Sequence, residues 1–438
     1  MDKTKVTLGL FGVFLLFFFG VNKIDSLEQK AIFPDKEWLQ YKTPEDAGWS
    51  SSKLAKAKAQ AERIGSPCIL IIHKGVVVQA WGDASRRFLL HSARKSTLTA
   101  LIGIYQSRNM INLSSTIQEL GIDEVTPLTA VEKQATVKQL ITGYSGIYLP
   151  SVIGGGEIPK RGSDAPGARW FYNNWNYNAL NTIFTNQTKR ELTDAFNTDI
   201  VRPLGMEDFR KEDGFYIREK ISMHPGYHLN MSSRDWARFG LLYLNNGKWN
   251  NKEIIPEAWV KASITSYAPK SERIGFGYCW STYPEMNMYA TEGWGGHIMM
   301  IFPKKELIVI HRANTYIPKP IDWVEIKKIV KLILSAQREE KTIDPDNLIA
   351  FKPNQTQRPS TYIADPEVTA KFEKFYDNNG DPVTIKRTDG RLIVNIPYLG
   401  NFDLYSINDS SFYVSDKEEI IHFKYNSQRE PIEAVFDE

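Results

Sequence analysis

Hydrophobic and polar residues along this chain follow two patterns, one typical of helices and the other of strands. Apolar residues at helical spacing predict a helix at Ser51–Arg63, begun by a serine cap, and a longer one from about Ala93 to Asn109. Further helical patterns lie at 236–244, 256–261 and 323–338. The helices therefore fall mainly in the middle of the chain.

Short, continuous apolar runs predict buried strands on both sides of these helices. CILIIH (68–73) and VVVQAW (76–81) are separated by two residues, the spacing of a β-hairpin. IMMIFP (298–303) is closely followed by ELIVIH (306–311). We therefore expect the N- and C-terminal strands to join in one antiparallel sheet with the helices packed against it, an α+β architecture.

The composition changes after about residue 340. Residues 341–360 are polar and contain prolines, which is typical of a linker. Residues 361–438 consist of short alternating runs such as RLIVNIP and IIHFKY, with a turn at Asp389-Gly390. The sequence therefore predicts a main domain at 26–340 and a small β-rich domain at 361–438.

The first 25 residues form a separate region. Lys3 and Lys5 precede an unbroken apolar run from Val6 to Val21, a pattern typical of an export signal. The run is close to the minimum length of a spanning helix, and neither a small-x-small cleavage site nor a cysteine for lipidation follows it. We expect residues 1–25 to anchor the protein in the cytoplasmic membrane with its body outside. A cleaved signal that releases a secreted or periplasmic body is the alternative, and a buried core helix is a more remote one.

Length and composition are those of an ordinary globular protein. The 438 residues, 42% of them hydrophobic and 24% charged, suffice for two domains with a large core. Two cysteines are too few for a disulfide framework. Cys68 and Cys279 each lie in an apolar run that predicts a buried strand, where cysteine acts as a small hydrophobe. A single bridge between them stays open.

Charge and histidine placement argue against nucleic-acid and metal binding. The net charge is only +3, and no Lys/Arg block is interleaved with aromatic residues. His224 and His228 are four residues apart, but Pro225 and Gly226 between them prevent a shared helical face. No His-Glu-x-x-His motif or Gly-rich phosphate loop occurs. We therefore expect no metal, no cofactor and no nucleic-acid partner.

Ser92-Ala-Arg-Lys95 is the first candidate for chemistry. The i, i+3 spacing puts the Ser92 hydroxyl and the Lys95 amine on one helical face. The amine can accept the hydroxyl proton if burial or a cationic neighbour lowers its pKa. Backbone N–H groups at the beginning of a helix can also hold an oxyanion. Taken alone, the pair is better explained as a helix cap followed by a surface lysine.

Tyr172 and Asn174 form the second candidate, within the aromatic-rich segment PGARWFYNNWNYNAL. A tyrosine whose pKa is lowered by a nearby lysine can relay a proton to a leaving group, and an asparagine amide can orient the substrate or the lysine. The same Tyr-x-Asn spacing recurs at Tyr243 and Tyr376. The alternative is a packing segment without a chemical role.

The third candidate is the glycine-rich turn GWGGH at 293–297, directly before the strand at 298–303. Glycines at the beginning of a strand allow a ligand to approach the backbone closely. N–H groups there can complete an oxyanion hole with that of Ser92. The alternative is an ordinary turn with a packed tryptophan.

The three candidates follow one another in the order found in Ser-x-x-Lys acyl enzymes. The chain resembles the class C β-lactamase-like serine hydrolases of the penicillin-binding-protein superfamily, which include family VIII carboxylesterases. The resemblance covers about residues 38–340 and rests on HSARKS, TVKQLITGYSGI, PGARWFYNNWNYNAL, RPLGM, SSRDWARFGLLYLNNGKWN and GWGGHIMMIFPKKELIVI. It implies a β-lactamase/transpeptidase-like fold, an antiparallel sheet flanked by helices with an all-helical subregion. The C-terminal domain resembles the lipocalin-like appendage of some members.

The resemblance also implies roles for the candidate residues. Ser92 resembles the nucleophile, Lys95 and Tyr172 the coupled base and acid, and Asn174 the third polar group of the pocket. The residues in the place of the Lys-Thr-Gly strand motif, which imply substrate and oxyanion binding, are Trp294, Gly295, Gly296 and His297. No cofactor is implied.

Two departures from the family pattern refine this hypothesis. The Lys-Thr-Gly motif is absent, so the cation that would bind the carboxylate of a β-lactam or peptide is missing, and Trp-Gly-Gly in its place is similar to esterase members. Gly143 also stands where relatives commonly carry histidine. We expect a serine hydrolase that acts through an acyl-enzyme on esters or small amides. The alternatives are a D-Ala-D-Ala-type peptidase or β-lactam-binding protein, and a non-catalytic envelope protein.

Overall fold

The structure is a computed structural model, and it describes residues 32–317, 320–355, 369–376 and 382–437. The predicted anchor at 1–25 lies outside these residues, as does the end of the predicted linker. Within the described ranges, none of the helices combines the length and the apolar character needed to cross a bilayer.

Helices surround the sheet and fill the middle of the chain. The α-helices are α1 (Ser51–Arg63), α2 (Lys95–Ser107), α3 (Val137–Thr142), α4 (Asn174–Thr188), α5 (Leu192–Phe196), α6 (Arg202–Leu204), α7 (Ser233–Leu244), α8 (Glu257–Ser263) and α9 (Trp323–Ala336). Helix α1 has the predicted bounds, and its Ser50 cap accepts a hydrogen bond from the Lys53 N–H at 3.4 Å. Helix α2 begins two residues later than predicted because a 3₁₀ turn, His91–Arg94, precedes it.

Strands form both the main domain and the C-terminal domain. In the main domain they are β1 (Leu39–Tyr41), β2 (Cys68–His73), β3 (Val76–Gly82), β4 (Arg87–Leu89), β5 (Gly214–Ile217), β6 (Gly226–Ser232), β7 (Lys248–Trp249), β8 (Lys252–Glu253), β9 (Ala268–Ser271), β10 (Ile274–Phe276), β11 (Ser281–Tyr283), β12 (Met288–Gly293), β13 (His297–Phe302), β14 (Leu307–Arg312) and β15 (Leu348–Ala350). In the C-terminal domain they are β16 (Phe375–Tyr376), β17 (Val383–Thr388), β18 (Arg391–Ile396), β19 (Gly400–Asn408), β20 (Ser411–Val414), β21 (Glu419–Tyr425) and β22 (Pro431–Phe436).

The large sheet joins the two ends of the main domain. Its strand order is β15-β1-β3-β2-β14-β13-β12-β11-β10-β9. The predicted contact between the early and late strands is confirmed, since β2 pairs antiparallel with β14 from Cys68↔Arg312 to His73↔Leu307. One pair differs from the expected antiparallel pattern, because β1 runs parallel to β3. The architecture is thus a mixed sheet flanked by helices, the β-lactamase/transpeptidase fold.

Side chains of the central strands alternate between two cores, as the two-residue period of a strand requires. In β2, Leu70 and Ile72 face the core that contains α2, α4 and α7, whereas Ile69 and Ile71 face the core beneath α1 and α9. Both sets are fully buried. A strand covered on both faces reads as one unbroken apolar run, which explains CILIIH.

The C-terminal domain is a seven-stranded antiparallel sheet, β16 to β22, that curls into a nearly closed barrel. Its interior is built around Phe372, Phe412 and Phe423. The predicted turn lies between β17 and β18, where Asp389 has φ 48° and Gly390 φ 74°. Two successive left-handed residues form the type I′ turn that suits a two-residue hairpin.

Charged residues tie this C-terminal sheet to the strand that leads into Ser92. Arg87, the first residue of β4, is buried and donates to Asp416 Oδ2 at 2.6 Å and to Asp213 Oδ1 at 3.0 Å. Asp403 Oδ2 lies 3.5 Å from the same guanidinium. Asp416 Oδ1 also accepts the backbone N–H of Arg87 at 3.0 Å. Asp403 lies on β19 and Asp416 in the turn between β20 and β21, so the two parts of the chain share one ion cluster.

Candidate active site

The chain turns sharply just before Ser92. Strand β4 ends at Leu89, and His91 has φ 49°, a left-handed conformation that is uncommon outside glycine. The His91 ring is held by a hydrogen bond of 2.8 Å between Nε2 and Thr315 Oγ1. Burial, and then the charge of Arg94, lower the pKa of His91 to about 3, so this imidazole is neutral. The turn presents Ser92 at the entrance of α2.

Three of the predicted site residues surround the amine of the fourth, Lys95. Lys95 Nζ donates to Ser92 Oγ at 2.9 Å, to Tyr172 OH at 2.5 Å and to Asn174 Oδ1 at 2.7 Å. Asn174 is placed at the beginning of α4 because the Asn173 side chain caps that helix. The structure thus brings Ser92, Tyr172 and Asn174 within hydrogen-bonding distance of the Lys95 nitrogen.

The surroundings of Lys95 favour its neutral form. Burial, followed by the positive charge of Arg94, lowers the pKa of Lys95 well below its usual value. Among the residues that the structure describes, no carboxylate forms an ion pair with Lys95. Arg94 is itself buried, donates to the His91 carbonyl at 2.7 Å and lies over the Tyr227 ring. The neutral amine has two N–H donors and one lone pair, so in this form it can accept the hydrogen bond of the Ser92 hydroxyl 2.9 Å away and act as a general base.

Tyr172 differs from the expectation drawn from the sequence. Burial raises its pKa, and a hydrogen bond with Ser92 only partly opposes this rise. The phenol therefore stays protonated, whereas the sequence analysis assumed a pKa lowered by the lysine. A protonated phenol beside a neutral amine is suited to donate a proton rather than to accept the first one.

The glycine-rich turn lies differently from the prediction. Trp294 lines the cavity around Ser92 and is 54% exposed. Gly295 and Gly296 form a 3₁₀ turn with Trp294, where added Cβ atoms would lie 2.3 Å from Thr315 and 3.2 Å from Ile321. His297 begins β13 and is buried, with Nε2 3.3 Å from Thr315 Oγ1. The structure places Gly295, Gly296 and His297 outside the wall of this cavity.

Gly295, Gly296 and His297 lie outside the cavity wall because strand β12 extends to Gly293 before the turn begins. Thr291 Oγ1 donates to the Ala93 carbonyl at 3.2 Å, and Glu292 and Gly293 line the cavity. An added Cβ on Gly293 would lie 2.3 Å from the Leu90 carbonyl oxygen, so only glycine fits against the segment before Ser92. The end of β12, Glu292 and Gly293, therefore joins Trp294 in the cavity wall beside the serine.

The cavity around Ser92 has a volume of about 290 Å³. Residues of its wall that the sequence did not point to as candidates are Trp170, Lys270, Phe276, Cys279, Ser281 and Glu292. Trp170 and Phe276 pack edge to face, with ring centroids 5.6 Å apart. The floor is therefore largely aromatic, which favours a substrate with an apolar part.

A cation does lie in this cavity, although the Lys-Thr-Gly motif is absent. Lys270, on β9, donates to Ser281 Oγ at 2.8 Å and forms an ion pair with Glu292 on β12. The Tyr283 hydroxyl also donates to Glu292. Lys270 and Glu292 are far apart in sequence and meet only through strand pairing, so no local motif could have identified them. The expectation that the pocket lacks a cation is wrong, but this cation is already paired.

Cys279 also differs from its prediction. It lies in the turn between β10 and β11 with φ 63°, not in a strand, whereas Cys68 lies in β2 as expected. Both thiols are free, so the open question of a bridge between them is answered. Burial raises the pKa of Cys279 to about 12, and the side chain remains a thiol. A protonated, buried thiol is a poor nucleophile, which leaves Ser92 as the nucleophile candidate of this cavity.

Comparison with known proteins bears on the family and the fold of the chain. The family model described as Beta-lactamase matches residues 52–325, more than half of the chain. Among solved structures, a Bacillus anthracis protein described as a 6-aminohexanoate-dimer hydrolase is 19% identical, with a TM-score of 0.51 over 70% of this chain and 90% of its own.

Two further structures share the fold. A protein from Bacteroides dorei described as a β-lactamase is 16% identical, with a TM-score of 0.50 over 66% of this chain and 99% of its own. A class C β-lactamase gives the same identity and TM-score over 66% of this chain and 97% of its own. At such identities these likenesses show the fold alone. A comparison with curated protein sequences finds no match.

Proposed function

The chain belongs to the Beta-lactamase family, whose fold is that of serine hydrolases working through an acyl-enzyme, and we propose that it hydrolyses carboxylic esters or small amides in this way. The observation that carries the proposal is the Lys95 amine, which contacts Ser92, Tyr172 and Asn174 at 2.5–2.9 Å. A buried lysine without a carboxylate partner among the described residues is costly to keep unless its neutral form is useful.

Acylation begins at the Ser92 hydroxyl. Its oxygen attacks the substrate carbonyl while the neutral Lys95 amine takes its proton, forming the Oγ–carbon bond and a tetrahedral oxyanion. Tyr172 then gives its phenolic proton to the leaving oxygen or nitrogen as the bond from carbon to that atom breaks. Lys95 returns the proton to Tyr172 across the 2.5 Å contact. The alcohol or amine departs, and the acyl group remains on Ser92.

Deacylation reverses these proton transfers. A water molecule attacks the acyl carbon, and the Lys95–Tyr172 pair accepts its proton. The bond from carbon to Ser92 Oγ breaks, and the serine recovers its proton from the same pair. Asn174 Oδ1 holds the Lys95 nitrogen in place throughout, at 2.7 Å. Every proton taken up is given back, so no cofactor enters the scheme.

The lining of the cavity supports an ester or small amide as the substrate. The aromatic floor formed by Trp170 and Phe276 suits an uncharged group, and the charge of Lys270 is balanced by Glu292. A β-lactam or a peptide ending in a carboxylate would have to compete with Glu292 for this lysine. We therefore favour an uncharged substrate over a carboxylate-bearing one.

The presence of Lys270 in the cavity nevertheless favours one second candidate, a D-Ala-D-Ala-type peptidase or β-lactam-binding protein. If a substrate carboxylate displaces Glu292, Lys270 supplies the cation that such substrates require. Incubation with a fluorescent penicillin separates the candidates. Stable labelling that disappears in Ser92→Ala supports the second candidate, and no labelling beside rapid ester hydrolysis supports the first.

Hydrolysis of p-nitrophenyl butyrate by the full chain tests the main proposal. We expect turnover by the wild type and loss of turnover in Ser92→Ala. Ser107→Ala is the matched control, because Ser107 ends the same helix and its hydroxyl donates to the Ile104 carbonyl at 2.8 Å. Absence of activity in both proteins contradicts the proposal and favours the peptidase and binding-only alternatives. Equal activity in both shows that Ser92 is not the nucleophile.

The site of action is a separate proposal that rests on the apolar run Val6–Val21. We expect the uncleaved chain in the cytoplasmic membrane fraction with its body accessible to added protease from outside. A body recovered in the soluble fraction with a new N-terminus after residue 20 supports the cleaved signal instead.

A further inference from the structure

A second cavity lies beside the one that contains Ser92. Its volume is about 330 Å³, and the two cavities share Lys270, Glu292 and Gly293 in their walls. Ser92 and Lys95 line only the first of them. The second cavity thus adjoins the first and shares part of its wall, without containing any of its reacting groups.

The wall of the second cavity is mainly apolar. Its large apolar and aromatic residues are Ile274, Tyr283, Ile298, Ile321, Trp323 and Ile326. Ile298 and Ile326 are almost fully buried and form its floor, whereas Ile321 and Trp323 are partly exposed and border it. Water in a concave apolar site is readily displaced by an apolar group. We call this set of residues the side cleft.

We propose that the side cleft binds the acyl chain of the substrate, so that the protein prefers medium-chain fatty acyl esters over short ones. This inference rests on the proposed hydrolase function. The leaving atom must lie beside the Tyr172 hydroxyl to receive its proton. The chain on the other side of the carbonyl carbon must then point away from Tyr172, and the wall shared with the side cleft is formed by Lys270, Glu292 and Gly293.

The junction between the cavities is compatible with an apolar chain despite its two charges. Lys270 and Glu292 neutralise each other, and Ser281 and Tyr283 satisfy them further. With its ammonium group held in this way, Lys270 offers its methylene groups to a passing chain. Gly293 has no side chain to narrow the passage. A short acyl group stays in the first cavity, whereas a longer one reaches the side cleft.

A chain-length series tests the inference. We expect kcat/KM for p-nitrophenyl butyrate, hexanoate and octanoate to rise by up to about fourfold for each methylene group that enters the side cleft. Ile321→Trp places a larger ring at the border of the cleft and should lower the octanoate-to-butyrate ratio at least tenfold. Ile349→Trp is the matched control, because Ile349 lies on β15 at 46% exposure, and this variant should keep the wild-type ratio.

Failure of this inference is distinguishable from failure of the hydrolase proposal. Ser92-dependent butyrate hydrolysis with no rise along the series, or with an unchanged ratio in Ile321→Trp, overturns the side cleft and leaves the hydrolase intact. If no ester is turned over, the affinity for substrate-like ligands of different chain length tests the inference instead. Titration calorimetry with butyl- and octylboronic acid should show at least tenfold tighter binding of the octyl compound to the wild type. In Ile321→Trp this difference in affinity should be smaller. Equal affinities contradict the inference.

Discussion

Two buried cations stand on either side of Ser92, and their surroundings are opposite. Arg87 lies among Asp213, Asp403 and Asp416, the last two of which come from the C-terminal domain. Lys95 has neutral partners, the side chains of Ser92, Tyr172 and Asn174. Both cations are almost inaccessible to solvent. Burial is therefore the same in the two regions, and only the partners differ.

The difference decides what each cation can do. Burial alone would lower the pKa of Arg87, but the three carboxylates overcome it and raise that pKa well above its usual value. At Lys95, burial meets no such opposition and the neighbouring Arg94 adds to it, so the pKa of the amine falls. Arg87 thus remains a charge that holds the strand before Ser92 against the C-terminal sheet. Lys95 becomes a base.

Removal of the Lys95 amine should give the largest effect and tests the chemical side of this comparison. We expect Lys95→Ala to lower kcat for a p-nitrophenyl ester by about 10³-fold or more, because no other base contacts Ser92 among the described residues. Lys53→Ala is the matched control, since Ser50 and Lys53 have the same spacing at the start of α1. Comparable kcat values for the two variants would remove Lys95 from the mechanism.

Removal of one charge at Arg87 tests the structural side. Asp416→Asn should lower the free energy of unfolding by about 3–5 kcal/mol, since it leaves a buried guanidinium short of a partner. Asparagine is chosen because Asp416 has φ 60°, which asparagine tolerates. Urea unfolding followed by circular dichroism measures the effect. Glu62→Gln, in the exposed Lys58–Glu62 pair, should lower the free energy of unfolding far less. Equal losses in the two variants would mean that the buried ion cluster stabilises the fold no more than an exposed ion pair does.

A change at Arg94 should give the smallest effect. It favours the charged form of Lys95, the state that Arg87 keeps. Arg94→Gln removes a positive charge next to Lys95, so the pKa of the amine should rise. Lys95 must be deprotonated to act, and a higher pKa means that it becomes protonated earlier as the pH falls. The acid limb of kcat/KM should therefore move to higher pH. Arg94→Lys and the exposed Arg108→Gln should keep the wild-type profile.

The sequence predicts those parts of the molecule that depend on local patterns. Helix α1 and the β2–β3 hairpin follow from spacing alone, and Ser92 meets Lys95 because residues three apart share a helical face. The contact between Lys95 and Tyr172 could be expected only from the family resemblance, because it joins separate elements.

Other features depend on how distant strands pair, and the sequence does not reveal them. Lys270 and Glu292 are neighbours across the sheet but lie on β9 and β12. Gly293 joins Trp294 in the wall beside Ser92 because β12 continues further than the glycine-rich turn suggests. The rise in the pKa of Tyr172 likewise comes from burial, which a list of residue types does not contain.

Identification of the acylated residue tests the central claim most directly. The wild type is quenched with acid during turnover of p-nitrophenyl butyrate, digested, and examined by mass spectrometry beside Ser92→Ala and Lys95→Ala. We predict a butyryl group on the peptide that contains Ser92 in the wild type, none in Ser92→Ala, and much slower labelling in Lys95→Ala. A butyryl group on another residue, or labelling at Ser92 that is as fast without Lys95, would contradict the account.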